Sequence, residues 1–238
     1  MARPHVGLPL LEGSLERYAE KFDLVELRPG DAALPKSATL RAWRRKVPPS
    51  FVFSVVFPKV VGELKPTAEL ETALELSLAA ARDVEARCLV LATPPSLTPT
   101  DLNRKRLKAL VERIPHDAVT LAWEPRGLWE PEEAGALAAD LDIVLVADPV
   151  REPAPKGPIA YFRLRGLGES TRLSPSAVDR VAAELHARRE AYVVIETGSP
   201  ATVAQSLRKK VGRRAASGRG TGVVLKPRAT FQAEDEEQ

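Results

Sequence analysis

The chain has 238 residues, 44% of them apolar, with 35 basic and 32 acidic side chains and a single cysteine. That length suits one domain with a large core; the lone Cys88 excludes an internal disulfide framework, and no apolar run is long enough to span a bilayer. Eight of the basic residues lie from Arg208 to Arg228 with no acid among them, so the formal charge of +3 belongs to the end of the chain and is poor evidence for a nucleic-acid-binding body. With no signal-peptide core at the N-terminus and one thiol, the expectation is a cytoplasmic protein.

Short runs of β-branched and aliphatic residues recur eight times, at 4–8, 23–28, 51–56, 87–92, 118–123, 142–147, 159–164 and 191–195. Most give way to a turn and then to a helical pattern. Residues 69–85 carry Leu70, Ala73, Leu74, Ala81 and Val84 at helical spacing. Four later helices are announced by proline at or near the first turn, in Thr98-Pro99, Glu130-Pro131, Ser174-Pro175 and Ser199-Pro200. Proline fits there because its missing N–H would be unpaired anyway. Thr98 with Asp101 reads as a capping box.

One interval breaks the alternation. Residues 148–158 contain Pro149, Pro153, Pro155 and Pro158, too many for a helix. The pattern predicts an α/β fold, a parallel eight-stranded (β/α)8 TIM barrel with the helix after strand 6 replaced by a proline-rich loop. A doubly wound open sheet is the alternative, but its Gly-x-Gly-x-x-Gly turn is absent after the first strand. The barrel domain is drawn over residues 1–212. Residues 213–238 are expected to form a flexible polyampholyte tail, rich in Arg, Gly, Ser and Ala and then acidic at Glu234, Asp235, Glu236 and Glu237.

Tyr18-Ala19-Glu20-Lys21-Phe22-Asp23-Leu24-Val25-Glu26-Leu27 resembles the YecE-like family, a group of TIM barrels of unknown function. The resemblance continues through Ala42-Trp43, Pro48-Pro49-Ser50-Phe51-Val52-Phe53-Ser54-Val55 and Pro94-Pro95-Ser96. Trp123-Glu124-Pro125-Arg126 with Trp129, Val146-Ala147-Asp148-Pro149 and Tyr161-Phe162-Arg163-Leu164-Arg165-Gly166 extend it over roughly the first 210 residues. The departures fall on polar positions. Leu27-Arg28-Pro29-Gly30 replaces the family's Asn-Ser-Thr-Phe, while Val56, Glu63 and Ala92 stand for its lysine, histidine and glutamine. Arg165 stands for a histidine, and Glu196-Thr197 for paired asparagines. The resemblance thus implies a divergent member, with either a different ligand or a lost activity.

In a TIM barrel the strand ends converge on one mouth. Glu26 and Glu124 are the candidate acid and base, since paired carboxylates can divide those roles when their environments differ. Arg126, Trp129, Asp148, Arg163, Arg165 and Glu196 are the candidate ligand-binding residues, the guanidinium forks matching carboxylate or phosphate. Arg163 and Arg165 share a strand face with Tyr161, and the idea requires that face to point inward. The competing expectation is that the acids simply pair with Arg28, Arg126, Arg163 and Arg165. Trp129 equally suits core packing, and His5 can reach the barrel interior from the first strand.

Three or four acids could hold Mg²⁺ or Mn²⁺, yet no metal is assigned and the cofactor is unknown. Zinc-binding and serine-nucleophile spacings are absent. Two functions follow. One is a barrel binding a small polar or anionic molecule at its C-terminal mouth, as a hydrolase or lyase if catalytic. The other is a catalytically degenerate barrel, a pseudoenzyme serving as a scaffold or partner-binding module. The basic tail adds possible contact with nucleic acid, a membrane surface or an acidic partner.

Overall fold

The computed structural model describes residues 4–30, 33–115, 118–165 and 172–217, the side chains of 212–217 excepted. His116, the run Val223-Val224-Leu225 and the expected tail from 218 onward lie outside the described residues. Eight parallel strands close into a barrel in sequence order: β1 (Pro4–Leu8), β2 (Leu24–Leu27), β3 (Val52–Val56), β4 (Cys88–Thr93), β5 (Thr120–Pro125), β6 (Val144–Ala147), β7 (Ile159–Arg165) and β8 (Glu190–Glu196). The first and last strands seal the ring through Pro4↔Ala191, His5↔Tyr192, Val6↔Val193 and Gly7↔Val194.

Around the barrel lie α1 (Leu15–Ala19), α2 (Ser37–Lys46), α3 (Lys59–Gly62), α4 (Ala68–Asp83), α5 (Asp101–Val111), α6 (Pro131–Asp140), α7 (Pro175–His186) and α8 (Pro200–Ser217). Thr67 and Ser174 cap α4 and α7 by accepting from the Leu70 and Ala177 N–H groups. The cap of α5 differs from expectation. Thr100, not Thr98, accepts the Asn103 N–H, and Asn103 turns back to the Thr98 carbonyl at 2.8 Å. Pro99 holds Thr98 out of the helical region, which moves the start two residues on. Helix α8 also runs to Ser217, past the 212/213 division drawn from composition, because Arg and Ala are good helix formers.

Strand alternation creates two separate cores. The outward residues, among them Phe53, Leu91, Trp123, Phe162 and Ile195, pack beneath the helices. The inward set is Leu24, Val52, Val56, Cys88, Val90, Ala122, Val146, Tyr161, Tyr192 and Val194. His5 joins them, its ring 5.7 Å from that of Tyr192. Cys88 sits in this filling, where burial pushes its thiol well up and leaves it inert.

No helix separates β6 from β7. Residues 148–158 form the expected proline-rich connection, held by two arginines: Arg180 of α7 donates to the Val150 carbonyl and Arg188, just past that helix, to that of Gly157. Only partial cover results, for Leu145 on the outward face of β6 is half-buried. No described helix is long and apolar enough to cross a membrane.

Candidate functional site

The face of β7 carrying Tyr161, Arg163 and Arg165 points into the barrel, as a site at the mouth requires. Tyr161 belongs to the interior filling, and Arg163 above it is 1% exposed. Its guanidinium is the hub of the mouth. Nη2 and Nη1 donate to the two oxygens of Glu26 at 2.6 and 3.0 Å, Nη1 also donates to Glu196 at 2.6 Å, and Nε lies 3.2 Å from Glu124. Glu26 in turn accepts from the Tyr161 hydroxyl at 2.6 Å and from Arg28 at 2.7 Å. The same hydroxyl stands 3.0 Å from Ser54 Oγ.

Glu124 is buried at the end of β5, with Arg165 and Arg126 on its Oε1. Glu196 accepts from Arg165 Nε at 3.0 Å and from Arg28 at 3.3 Å. Three carboxylates and four arginines therefore form one continuous lattice across β2, β5, β7 and β8. Burial alone would raise the pKa of Glu124, but Arg163, Arg165 and Arg126 outweigh it and hold the carboxyl below its ordinary value. Glu196 is depressed in the same way, burial opposing and Arg163, Arg165 and Arg28 prevailing. Arg163 is pushed above its ordinary range, Glu26 and Glu124 overriding its desolvation.

These shifts fix the sign of a pH dependence. A carboxylate whose pKa is lower folded than unfolded stabilises the fold above its unfolded pKa and ceases to do so as pH falls through the folded one. The melting temperature should hold steady from neutrality to about pH 5 and then fall through the range below about 4.5. Thermal melts of the protein and of Glu196→Gln check this: the substitution should flatten the acid limb, and identical limbs would remove Glu196 from the cause.

The remaining candidates stand apart from the lattice. Asp148 Oδ1 accepts the Val150 N–H and Oδ2 the Arg165 N–H, each at 3.1 Å, while Arg151 lies 3.4 Å away. It organises the turn after β6 and the top of β7. Trp129 lies in the helix-covered layer, not over the mouth: its Nε1 donates to the Leu97 carbonyl at 2.9 Å and its ring stands edge-on to Trp123. Trp123 itself faces outward on β5.

Sequence reasoning passed over Ser54 and gave Tyr161 no partner, although both lie at period-2 spacing on inward strand faces. Among the described residues no group of three or more His, Cys, Asp or Glu side chains is arranged to hold a metal ion.

A closed parallel barrel with charged residues gathered at the C-terminal strand ends defines a TIM-barrel protein. Within that class the chain belongs to the family described as "Protein of unknown function DUF72", whose profile matches residues 7–224. It is similar to a DUF72 family protein of Enterococcus faecalis V583, with a TM-score of 0.70 and 17% identity over 89% of this chain and 98% of that one. A DUF72 family protein of Thermotoga maritima MSB8 follows, with a TM-score of 0.62 and 21% identity over 88% and 99%. An L-ribulose 3-epimerase shares the fold at a TM-score of 0.61 and 17% identity over 95% and 100%. No curated protein matches the chain in sequence.

Proposed function

We propose that the protein is a divergent YecE-like barrel that binds a small anion at its C-terminal mouth, with its carboxylates acting as fixed counter-charges. The observation that carries this reading is the pair of guanidinium forks, Arg126 and Arg165, held above the buried Glu124. Both forks are presented outward, since the Arg126 and Arg165 side chains are 48% and 35% exposed while Glu124 is 5% exposed. A phosphate, sulfate or carboxylate meeting those two forks would gain charge-assisted hydrogen bonds from both.

The same geometry weighs against Glu26 and Glu124 as an acid–base pair. A general acid must hold a proton near neutral pH, and Glu124 is held ionised by three arginines. Both oxygens of Glu26 are engaged by Arg28, Tyr161 and Arg163. A hydrolase or lyase step would first have to break this lattice.

Titration with inorganic phosphate, sulfate and small carboxylates, followed by melting temperature and calorimetry, tests the proposal. At least one anion should bind saturably, and Arg126→Ala should weaken it about tenfold, the worth of one charge-assisted hydrogen bond. Because Arg126 is half exposed, the unliganded protein should barely change in stability. Absence of saturable binding would favour the second reading, a scaffold or partner-binding barrel, which rests on Arg163 filling the centre of the mouth.

A further inference from the structure

The seam between β6 and β7 is zipped at one end only. Val146 and Ala147 are in register with Tyr161 and Phe162. Continued toward the barrel base, the same register would set Val144 beside Ile159 and Leu145 beside Ala160, yet neither pair forms. Val144 and Leu145 are matched instead to Ala122 and Trp123 of β5, and Ile159 and Ala160 to Glu190 and Ala191 of β8. The cause is local. No crossover helix presses β6 against β7, and the chain enters β7 through Pro155, Gly157 and Pro158, with Gly157 at a φ of +149°.

A cavity of about 760 Å³ occupies the split, at the end of the barrel opposite the mouth. All four unzipped residues, Val144, Leu145, Ile159 and Ala160, line it. Its volume falls in the range of small-molecule sites, about 300–1,000 Å³. A strand in a parallel sheet turns alternate peptide groups to either side. Each edge of the split therefore offers N–H and C=O groups across a gap that no neighbouring strand fills, and such edges readily accept a further hydrogen-bonding partner.

The rest of the lining narrows the ligand. Leu121, Ala138 and Phe162 supply apolar walls from β5, α6 and β7. The charges balance among the described residues, Arg87 and Lys156 standing against Asp142 and Glu190, and Arg87 is already paired with Glu190. A charged ligand thus finds no surplus of opposite sign there. A Cβ built on Gly135 meets nothing within 4 Å, so the α6 wall stands back from the cavity.

We propose that this split seam is a second ligand site, separate from the mouth, for a small neutral cyclic amide. In such a ring an N–H and a C=O stand side by side on one edge. That edge pairs with the N–H and C=O that a strand residue turns into the gap, while the body of the ring lies on the apolar walls. Nucleobases and cyclic dipeptides share this chemistry, and the experiment separates them.

Uracil, a phenylalanine-containing cyclic dipeptide and indole are titrated into the full chain and followed by calorimetry. Indole is the control, with an apolar ring and an N–H but no carbonyl. Uracil or the cyclic dipeptide should bind saturably and at least tenfold more tightly than indole, and the tighter of the two names the source. The bound amide should also slow hydrogen exchange across residues 144–145 and 159–160. No saturable binding by either amide, equal binding of indole, or exchange there unchanged by the bound amide would each overturn the proposal.

Gly135→Trp should fill the cavity and weaken the amide at least tenfold, whereas Gly135→Ala should leave its affinity unchanged. Full affinity in a folded Gly135→Trp protein would overturn the proposal as well; if that variant does not fold, the exchange pattern of the unsubstituted protein decides. Neither readout depends on anion binding at the mouth.

Discussion

Arg163→Met should lower the melting temperature by on the order of 10 °C. The side chain is 1% exposed and binds Glu26 bidentately while reaching Glu196 and Glu124. Its loss leaves two buried carboxylates short of counter-charge, and removing one partner of a buried pair costs about 3–5 kcal/mol. In a domain of this size each kcal/mol is worth about 2–4 °C. Removing both charges is predicted to be less harmful than the sum of the parts. Arg163→Met with Glu26→Leu should recover part of the loss, because the unpaired carboxylate disappears with its partner. Circular-dichroism melts of the two single variants and the double variant check this. A fall of under about 2 °C for Arg163→Met would mean that the lattice does not hold the mouth together.

That lattice shows which kind of information the sequence carries. The runs at 4–8, 51–56 and 159–164 are nearly the observed β1, β3 and β7, because a β-branched inward and outward face is a local signature. The missing crossover was legible for the same reason: four prolines between 148 and 158 forbid a helix whatever surrounds them. Placing Glu26, Glu124, Arg163, Arg165 and Glu196 at one mouth needed only the closed topology. Their partnership was legible only as one of two alternatives, the acids pairing with Arg28, Arg126, Arg163 and Arg165 or facing a ligand. Glu26 and Arg163 stand 137 residues apart, and spacing cannot say whether inward charges meet each other or face a ligand. For Trp129 the sequence left ligand contact and core packing both open. Its ring stands edge-on to that of outward-facing Trp123, in the layer beneath the helices. Asp148 was read only as a ligand-binding candidate, although an Asp-Pro-Val sequence invites the side-chain turn that it makes onto Val150.

Gly7→Ala should be at least as damaging as the loss of Arg163, and through geometry alone. Gly7 pairs with Leu24 of β2 on one side and with Val194 of β8 on the other, and Val194 pairs with Arg163. A Cβ on Gly7 would lie 1.7 Å from the Leu24 carbonyl oxygen and 2.4 Å from its carbon. Both are backbone atoms, so no side-chain rotation relieves the clash and the two strands must part. The seam offers little reserve. It has two register pairs, against four between β1 and β8, and is bolted by Tyr18, whose hydroxyl accepts the Leu8 N–H and donates to the Leu24 carbonyl. Prying it open would break that bolt and shift β8, which carries Glu196. The expected cost is on the order of 4 kcal/mol or more, read as a collapse in soluble yield or in the urea midpoint. Gly13→Ala is the matched control. Its Cβ would meet nothing within 4 Å, and its φ of +73° costs only about 1 kcal/mol. Equal effects of the two substitutions would show that β1 and β2 do not close as tightly as their backbones stand; a much larger effect at Gly7 would make this glycine the point at which the ring is sealed beneath its charged mouth.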